Sequence, residues 1–268
     1  MKPFISKNTI LNIAHRGGAG ERPESTLEAF RYALAVGADV LELDVHLSRD
    51  GELVVSHDEE LRRISGKSGR IAELTVEELK GFDAGALWTP DGSSHPFRAR
   101  GLTLPTLSEL FEELPDAQMN IDLKVEGREA AEKLTKLIRR FDRVRRTVVA
   151  SFFASSLTHV RRSAPEIATS GHPGDIRRFL LLSHGLLGFL ASDRIPYLQV
   201  PERHGRVRVV TKRLLTGAHR AGREVHVWTV NEIDAMRRLI ELGVDGLVTD
   251  YPSRLTALLG EMYGGPGS

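Results

Sequence analysis

Eight short apolar runs, rich in β-branched residues, alternate along the 268-residue chain with segments of helical periodicity. They are LNIAH (11–15), DVLELDV (39–45), MNIDLKV (119–125), TVVASF (147–152), EIATS (166–170), YLQV (197–200), EVHVWTV (224–230) and DGLVTD (245–250). Alternating strands and helices indicate βαβ units, and eight units are the number that closes a (β/α)8 barrel of about 250 residues. We therefore predict an α/β protein with one TIM-barrel domain over residues 1–262 and a flexible tail at 263–268.

The segment after the second predicted strand interrupts this alternation. From about residue 58 to 104, Gly, Pro, Ser and charged residues accumulate, and the stretch WTPDGSSHP has no period. So long an irregular segment inside a compact domain is usually a functional loop or a small subdomain. We predict a small insertion there, preceded by a hairpin turn at Asp50-Gly51.

Cap signals predict where two of the helices begin. Ser25 and Glu28 are spaced as a capping box for the helix after the first strand, and Gly37 predicts its end. Asn231 is the predicted N-cap of the helix after the seventh strand.

Composition excludes several classes of function. The 37 basic and 36 acidic side chains give a formal net charge of +1, without the basic excess of a nucleic-acid binder. With no cysteine there are no disulfides or thiolate metal sites. The longest apolar run, FLLLSHGLLGFL (179–190), is too short for a membrane span of about 20 residues, and the N-terminus does not resemble a secretory leader. We expect a cytoplasmic protein without a nucleic-acid partner or stable membrane insertion; its oligomeric state stays open.

The run LELDV carries two carboxylates on one face of a strand. Side chains at i and i+2 project together, so Glu42 and Asp44 share a face while Leu41, Leu43 and Val45 point outward. Adjacent carboxylates inside a barrel repel each other and need a cation, a shared proton or a basic partner. The alternative is that both are simply hydrated at the barrel mouth.

The run MNIDLKVE places Asp122 and Lys124 on one face at the end of another predicted strand. This pair could be a buried salt bridge, but barrel enzymes carry their catalytic groups at the carboxyl ends of the strands. Together with Glu42 and Asp44, Asp122 would supply three hard oxygen ligands for one divalent cation, Mg²⁺ or Ca²⁺.

Two histidines and an arginine lie at further element ends. His15 ends the first strand and His57 ends the hairpin RDGELVVSH, where they could act as acid and base near neutral pH rather than as structural histidines. Arg16, followed by Gly17 and Gly18, suits a phosphate, because its planar fork can pair two oxygens while the glycines let the backbone approach. No dinucleotide fingerprint or nucleotide-binding P-loop is present. His226 could face either core or mouth.

These motifs resemble those of the glycerophosphodiester phosphodiesterase family. The blocks HRGGAGERPEST, ELDVHLSRDGELVVSHDEELRR, LPTLSEL, NIDLK, VWTVN and GVDGLVTDYP occur in the family's order over almost the whole chain. A weaker similarity reaches the phosphatidylinositol-specific phospholipases C and the spider-venom type phospholipases D, which share the barrel. The resemblance implies a (β/α)8 barrel with a small insertion after the second strand.

The resemblance also implies roles for individual residues. His15 and His57 would be the acid/base pair, and Glu42 and Asp44 would bind the cation. Arg16 and Lys124 would hold the phosphate, and Glu24 would order the site. Trp228 would line the glycerol or leaving-group side, with ordinary barrel packing as the other interpretation.

Two positions depart from the family pattern. Asp122 replaces the usual glutamate, so it would bind metal directly or through water. Ser25 replaces the usual asparagine, and since both residues are good N-caps the helix start should be kept.

The predicted activity is metal-dependent hydrolysis of glycerophosphodiesters to sn-glycerol 3-phosphate and an alcohol, a step in lipid and glycerol metabolism. Water and the neighbouring glycerol hydroxyl both remain possible as the first nucleophile. The alternatives are a lysophospholipase D or cyclising phosphodiesterase acting on a lipid, and a phosphoester-binding barrel without catalysis.

Overall fold

The computed structural model of this chain describes residues 3–4, 10–184 and 195–264, with only the helical backbone for 180–184. The second half of the apolar run at 179–190 and most of the predicted tail lie outside these ranges. The described strands are β1 (Leu11–Ala14), β2 (Val40–Leu47), β3 (Leu53–Val55), β4 (Gln118–Leu123), β5 (Thr147–Ala150), β6 (Ala168–Thr169), β7 (Tyr197–Pro201), β8 (Arg203–His204), β9 (Val207–Arg208), β10 (Glu224–Trp228) and β11 (Gly246–Thr249).

Eight of these strands form one parallel barrel. They are hydrogen-bonded in the order β6-β5-β4-β2-β1-β11-β10-β7. A parallel bridge between Ser170 and Tyr197, with the Gly171 N–H donating to the Tyr197 carbonyl at 3.1 Å, joins the two ends of this sheet. Each predicted apolar run overlaps one barrel strand, so the (β/α)8 prediction is confirmed.

The described helices cover the outside of the barrel, except for two short helices in the segment after β3. They are α1 (Leu27–Ala35), α2 (Arg62–Ser65), α3 (Val76–Leu79), α4 (Leu107–Glu113), α5 (Arg128–Arg140), α6 (Ala154–Ser163), α7 (Pro173–His184), α8 (Lys212–Arg220), α9 (Ile233–Leu242) and α10 (Pro252–Tyr263). Short 3-10 helices lie at His15–Gly17, Ile71–Glu73 and Val144–Arg146. Within the described ranges, no helix combines the length and the apolar character that crossing a membrane requires.

The outward faces of the strands pack against these helices, as the LELDV pattern predicts. Leu41, Leu43 and Val45 are fully buried in a cluster with Phe30 of α1 and Leu107 of α4. A second apolar cluster fills the barrel interior; its members include Ile13, Val40, Tyr197 and Val248. His226 belongs to this interior, since it is fully buried and its ring lies 4.8 Å from that of Tyr197. The structure thus places His226 in the core, away from the mouth.

The segment between β3 and α4 has a small apolar cluster of its own. Leu61, Ile71, Leu79 and Leu104 are buried in it against Val54 of β3. The hairpin turn at Asp50-Gly51 forms as predicted, because β3 pairs antiparallel with β2 and Gly51 has φ of +78°. The indole N–H of Trp88 donates to the Ala19 carbonyl at 2.9 Å, which ties this segment to the loop after β1.

Both N-cap predictions name the wrong residue. The N-cap of α1 is Thr26, whose hydroxyl accepts the Ala29 N–H, whereas Ser25 has φ of +59° and donates its backbone N–H to the Arg16 carbonyl at 2.9 Å. Ser25 therefore occupies a left-handed position, which asparagine tolerates better than serine. The N-cap of α9 is Glu232, without a side-chain cap, and Asn231 bonds elsewhere.

Candidate active site

The pairing of β1 with β11 brings His15 next to an aspartate. Ala14 lies opposite Thr249 in the register, so the residues that follow, His15 and Asp250, meet at the carboxyl end of the barrel. His15 Nδ1 is 2.6 Å from Asp250 Oδ1. Burial disfavours the imidazolium, but the hydrogen bond to Asp250 and the charge of Glu42 outweigh it and raise the pKa of His15.

Asp250 is itself held by a residue on the loop after β10. The Asn231 side-chain amide donates to Asp250 Oδ2 at 2.7 Å, and the Asp250 backbone N–H donates to Asn231 Oδ1 at 2.9 Å. The residue predicted as a helix cap therefore orients the carboxylate that holds His15.

The backbone makes a left-handed turn at Arg16, at the edge of the site. Arg16 has φ of +50°, and its backbone N–H donates to Glu42 Oε2 at 3.0 Å. Its guanidinium donates to Glu24 Oε1 at 3.2 Å, and its Nε lies 3.8 Å from Asp44 Oδ2. A Cβ on Gly17 would lie 2.9 Å from the Ala29 Cβ, so this glycine is required by packing against α1.

Glu42, Asp44 and Asp122 line one wall of the site. Asp44 lies opposite Asp122 in the β2–β4 register, and Lys124 Nζ bridges them at 2.9 Å from Asp44 Oδ1 and 2.6 Å from Asp122 Oδ2. Burial alone would lower the pKa of Lys124, but the two carboxylates outweigh it and raise that pKa. Lys124 is therefore a permanent ammonium at this wall.

Glu42 is the carboxyl group without a cationic side chain in hydrogen-bonding contact. Burial, followed by the charge of Asp44, raises the pKa of Glu42 to about 7. At neutral pH the wall is thus close to the point at which it takes up or releases one proton.

The chemistry of this wall suits a hard divalent cation. The donors are all carboxylate oxygens, and two of them, Asp44 Oδ2 and Asp122 Oδ1, are buried without a hydrogen-bond partner. Over the described ranges, however, no three acidic or imidazole side chains already stand in a metal-binding arrangement. Cation binding at Glu42, Asp44 and Asp122 would therefore require their side chains to reorient around Lys124.

The second histidine is supplied by the segment after β3. His57 Nδ1 is 2.6 Å from Asp58 Oδ1, and the His57 carbonyl lies 3.0 Å from His46 Nε2 on β2. The Ser56 N–H donates to the Asp44 carbonyl at 3.0 Å, which fixes this segment at the end of β2. Each site histidine thus has its Nδ1 on a carboxylate, which leaves Nε2 as the nitrogen for proton exchange; His15 Nε2 lies 4.0 Å from Glu42 Oε2.

Ion pairs connect the two histidine-bearing segments. Arg63 contacts Asp58 and also donates to both oxygens of Glu24 at 2.6 Å, and Glu24 accepts from Arg16. Burial would raise the pKa of Glu24, but Arg63 and Arg16 outweigh it and lower that pKa. We name the series Arg16, Glu24, Arg63 and Asp58 the ion-pair strap.

Two aromatic side chains lie at the mouth. The rings of Trp228 and Phe152 meet edge to face at 6.4 Å, and Lys124 Nζ lies 5.4 Å from the Phe152 ring centroid. Trp228 is half-buried against the interior cluster, so it both packs the barrel and borders the site.

The predicted residues thus form one connected set of contacts. Sequence reasoning missed Asp250, Asn231, Asp58, Arg63 and Phe152. Asp250 had a usable signal, since it ends the eighth apolar run as His15 ends the first. Phe152 likewise ends the fourth apolar run, whereas the others lie in loops or near the start of a helix, where no periodicity marks them.

Comparison with known proteins identifies the family. The model of the glycerophosphoryl diester phosphodiesterase family matches residues 15–254. The chain belongs to this family. The resemblance carried by the sequence motifs is confirmed, and so is the prediction of a phosphodiesterase-type enzyme.

Individual members of the glycerophosphoryl diester phosphodiesterase family match over nearly their full length. A glycerophosphodiester phosphodiesterase of Caldanaerobacter subterraneus is 32% identical over 93% of this chain and 97% of its own. The lysophospholipase D GDPD1 of Homo sapiens is 31% identical over 96% of this chain and 87% of its own. A phosphodiesterase of Oleispira antarctica, solved in complex with the product sn-glycerol-3-phosphate, superposes with a TM-score of 0.74 at 27% identity, covering 92% of this chain and 95% of its own.

Replacement of Glu42 by glutamine should stabilise the metal-free protein at alkaline pH. The pKa of Glu42 in the folded protein is about 7, above the ordinary 4.5, so the folded state holds the proton more tightly than the unfolded state. The free energy of unfolding therefore falls as the pH rises from 4.5 through 7. Glutamine removes that charge and can still accept the Arg16 N–H. In urea unfolding with EDTA, we expect the free energy of unfolding of the variant to exceed that of the parent by about 1–3 kcal/mol at pH 8 and by much less at pH 4.5. A variant less stable than the parent at pH 8 would contradict this account.

Proposed function

We propose that this phosphodiesterase hydrolyses glycerophosphodiesters to sn-glycerol 3-phosphate and an alcohol by acid–base catalysis at His15 and His57. The observation that carries the proposal is the pair of imidazoles, each held at Nδ1 by a carboxylate 2.6 Å away, on two segments that the ion-pair strap joins. The product bound by the Oleispira antarctica relative supports the choice of substrate.

Two proton transfers complete the reaction. One imidazole Nε2 takes a proton from the attacking hydroxyl as its oxygen bonds to phosphorus, and the other gives a proton to the leaving oxygen as its bond to phosphorus breaks. The nucleophile is water in direct hydrolysis. If the glycerol hydroxyl attacks first, a cyclic phosphate forms. Water then opens this phosphate in a second step that uses the same two imidazoles.

Arg16 and Lys124 supply positive charge for the phosphate. The Arg16 Nε is buried and has no hydrogen-bond partner, so this donor is available to an oxygen that enters the site. Lys124 is half-exposed at the mouth, with its ammonium held between Asp44 and Asp122. Fixed donors of this kind stabilise charge that develops in the transition state.

We propose Glu42, Asp44 and Asp122 as the residues that hold one divalent cation, Mg²⁺ or Ca²⁺. When bound, the cation would act as a Lewis acid toward a phosphoryl oxygen. The two unpartnered carboxylate oxygens and the raised pKa of Glu42 support the proposal, because a cation would satisfy both oxygens and favour the ionised carboxylate.

A lysophospholipase D activity is the second candidate. The Phe152 side chain is 56% exposed beside Trp228, so the mouth offers an apolar surface on which an acyl chain could lie. The human relative named as a lysophospholipase D supports this alternative.

A substrate panel with controlled metal separates these activities. We expect glycerophosphocholine and glycerophosphoethanolamine to release sn-glycerol 3-phosphate, EDTA to stop the release, and either Mg²⁺ or Ca²⁺ to restore it. Faster turnover of lysophosphatidylcholine, with lysophosphatidic acid as product, would favour the second candidate. Release that continues in EDTA would contradict the proposed cation.

A further inference from the structure

Most of the strongly exposed apolar side chains among the described residues lie toward one end of the barrel. Among the described residues, the large apolar side chains with the greatest exposure are Leu87 at 39%, Phe152 at 56%, Val207 at 66%, Ile233 at 46% and Tyr263 at 48%. Phe152 follows β5, Val207 lies in β9 within the excursion after β7, and Ile233 begins α9 after β10, all beyond the carboxyl ends of barrel strands. Leu87 lies in the segment after β3, next to Trp88, which bonds to the loop after β1. Only Tyr263, at the end of α10, lies toward the opposite end of the barrel.

A basic hairpin projects from the same face. It consists of residues 203–208, the strands β8 and β9 with the turn between them, and all six residues are exposed. It carries Arg203, His204, Arg206 and Arg208 and no acidic residue. Glu202, just before the hairpin, is paired with Arg238 of α9 at 2.9 Å.

The hairpin is next to the catalytic mouth. It follows β7 directly, and Pro201 at the end of β7 pairs with Trp228 at the end of β10. Val207 therefore projects from a basic loop that adjoins the aromatic pair bordering the site.

We propose that this face docks reversibly on an anionic lipid surface, with the mouth turned toward the lipid. The arginines would contact lipid phosphates while Val207 and the other exposed apolar side chains enter the interfacial region. Charge complementarity favours this occupant: the basic charge is local, on a protein whose formal net charge is only +1. Single apolar side chains spread around a rim suit a planar surface better than the contiguous apolar core of a protein interface.

Vesicle binding tests the proposal without reference to catalysis. Flotation of the full chain with vesicles of phosphatidylcholine alone, or with roughly one-third phosphatidylglycerol, should show binding only to the anionic vesicles at ~0.1 M salt and its loss at ~0.5 M. Equal binding to both vesicle types, or binding to neither, would overturn it.

Charge reversal on the hairpin should weaken binding at least about tenfold. The test variant is Arg206→Glu with Arg208→Glu, and the matched control is Arg162→Glu with Arg220→Glu. The control arginines are exposed at the carboxyl ends of α6 and α8, on the opposite face, and the net charge changes equally. Equal losses in both variants would mean that only total charge matters and would overturn the proposal.

Two further measurements identify what this face binds and separate the docking proposal from the catalytic one. Val207→Ser should reduce vesicle binding severalfold, and the hairpin variant should turn over soluble glycerophosphocholine like the parent. Hairpin-dependent binding to a soluble polyanion such as heparin, without vesicle binding, would overturn the lipid assignment. Failure of catalysis in the parent, with vesicle binding intact, would count against the proposed function alone.

Discussion

Replacing either His15 or His57 by alanine is expected to lower kcat/KM for glycerophosphocholine by about 10²–10⁴. Each imidazole is held by a carboxylate at 2.6 Å, so its removal takes away both a proton-transfer group and the alignment that makes it effective. If the two histidines act in the same displacement, as proposed, the double variant should lose less activity than the product of the two single losses.

The measurement is release of sn-glycerol 3-phosphate by the parent and the variants under saturating metal. His219→Ala is the matched control, since His219 also pairs with a carboxylate, Asp245 at 2.8 Å, but lies at the end of α8, away from the mouth. The control should keep full activity. Parent-like turnover by His15→Ala or His57→Ala would exclude that residue from the mechanism.

Replacing Asp250 by asparagine should cost on the order of 10²–10⁴ in kcat with a smaller change in KM. Asp250 accepts from His15 Nδ1, so it fixes the tautomer and ring orientation in which Nε2 is the nitrogen for the proposed proton transfer. Asparagine has the same shape but can present an N–H to His15, which favours the wrong tautomer; in a serine protease triad the equivalent change costs about 10⁴.

The pH profile distinguishes positioning from a general loss of structure. Asp250 helps to raise the pKa of His15, so the limb of the profile that reports His15 should move to lower pH in Asp250→Asn. Asp245→Asn serves as the control because it removes the carboxylate of the remote pair with His219. An unchanged profile with lowered thermal stability would indicate a structural role for Asp250 instead.

The parts of this molecule that sequence predicts well are those with regular periodicity. Alternation in LELDV places Glu42 and Asp44 inward and Leu43 outward. Both faces of β2 are buried, and Leu43 packs in the cluster shared with the helices. Strand ends could likewise be located, and with them His15, Asp122 and Lys124.

The unpredicted parts depend on tertiary contacts. Arg63 joins Glu24 and Asp58 only because the insertion folds back over the loop after β1, a contact that no local pattern encodes. Ser25 has the pattern of an N-cap because caps and left-handed turns favour the same small polar residues. Asn231 has the pattern of an N-cap for the same reason, and only its bonds to Asp250 show that it orients this carboxylate.

The ion-pair strap has a consequence for how this enzyme could diversify. His15 belongs to the barrel, whereas His57 lies at the start of a segment with its own apolar cluster, and the strap of partly exposed charges joins them. The wall of Glu42 and Asp44 is therefore part of the barrel, while the segment that carries His57 can be lengthened, shortened or exchanged as a separate unit. New leaving groups could be accommodated by altering that unit, without rebuilding the strands on which Glu42 and Asp44 stand.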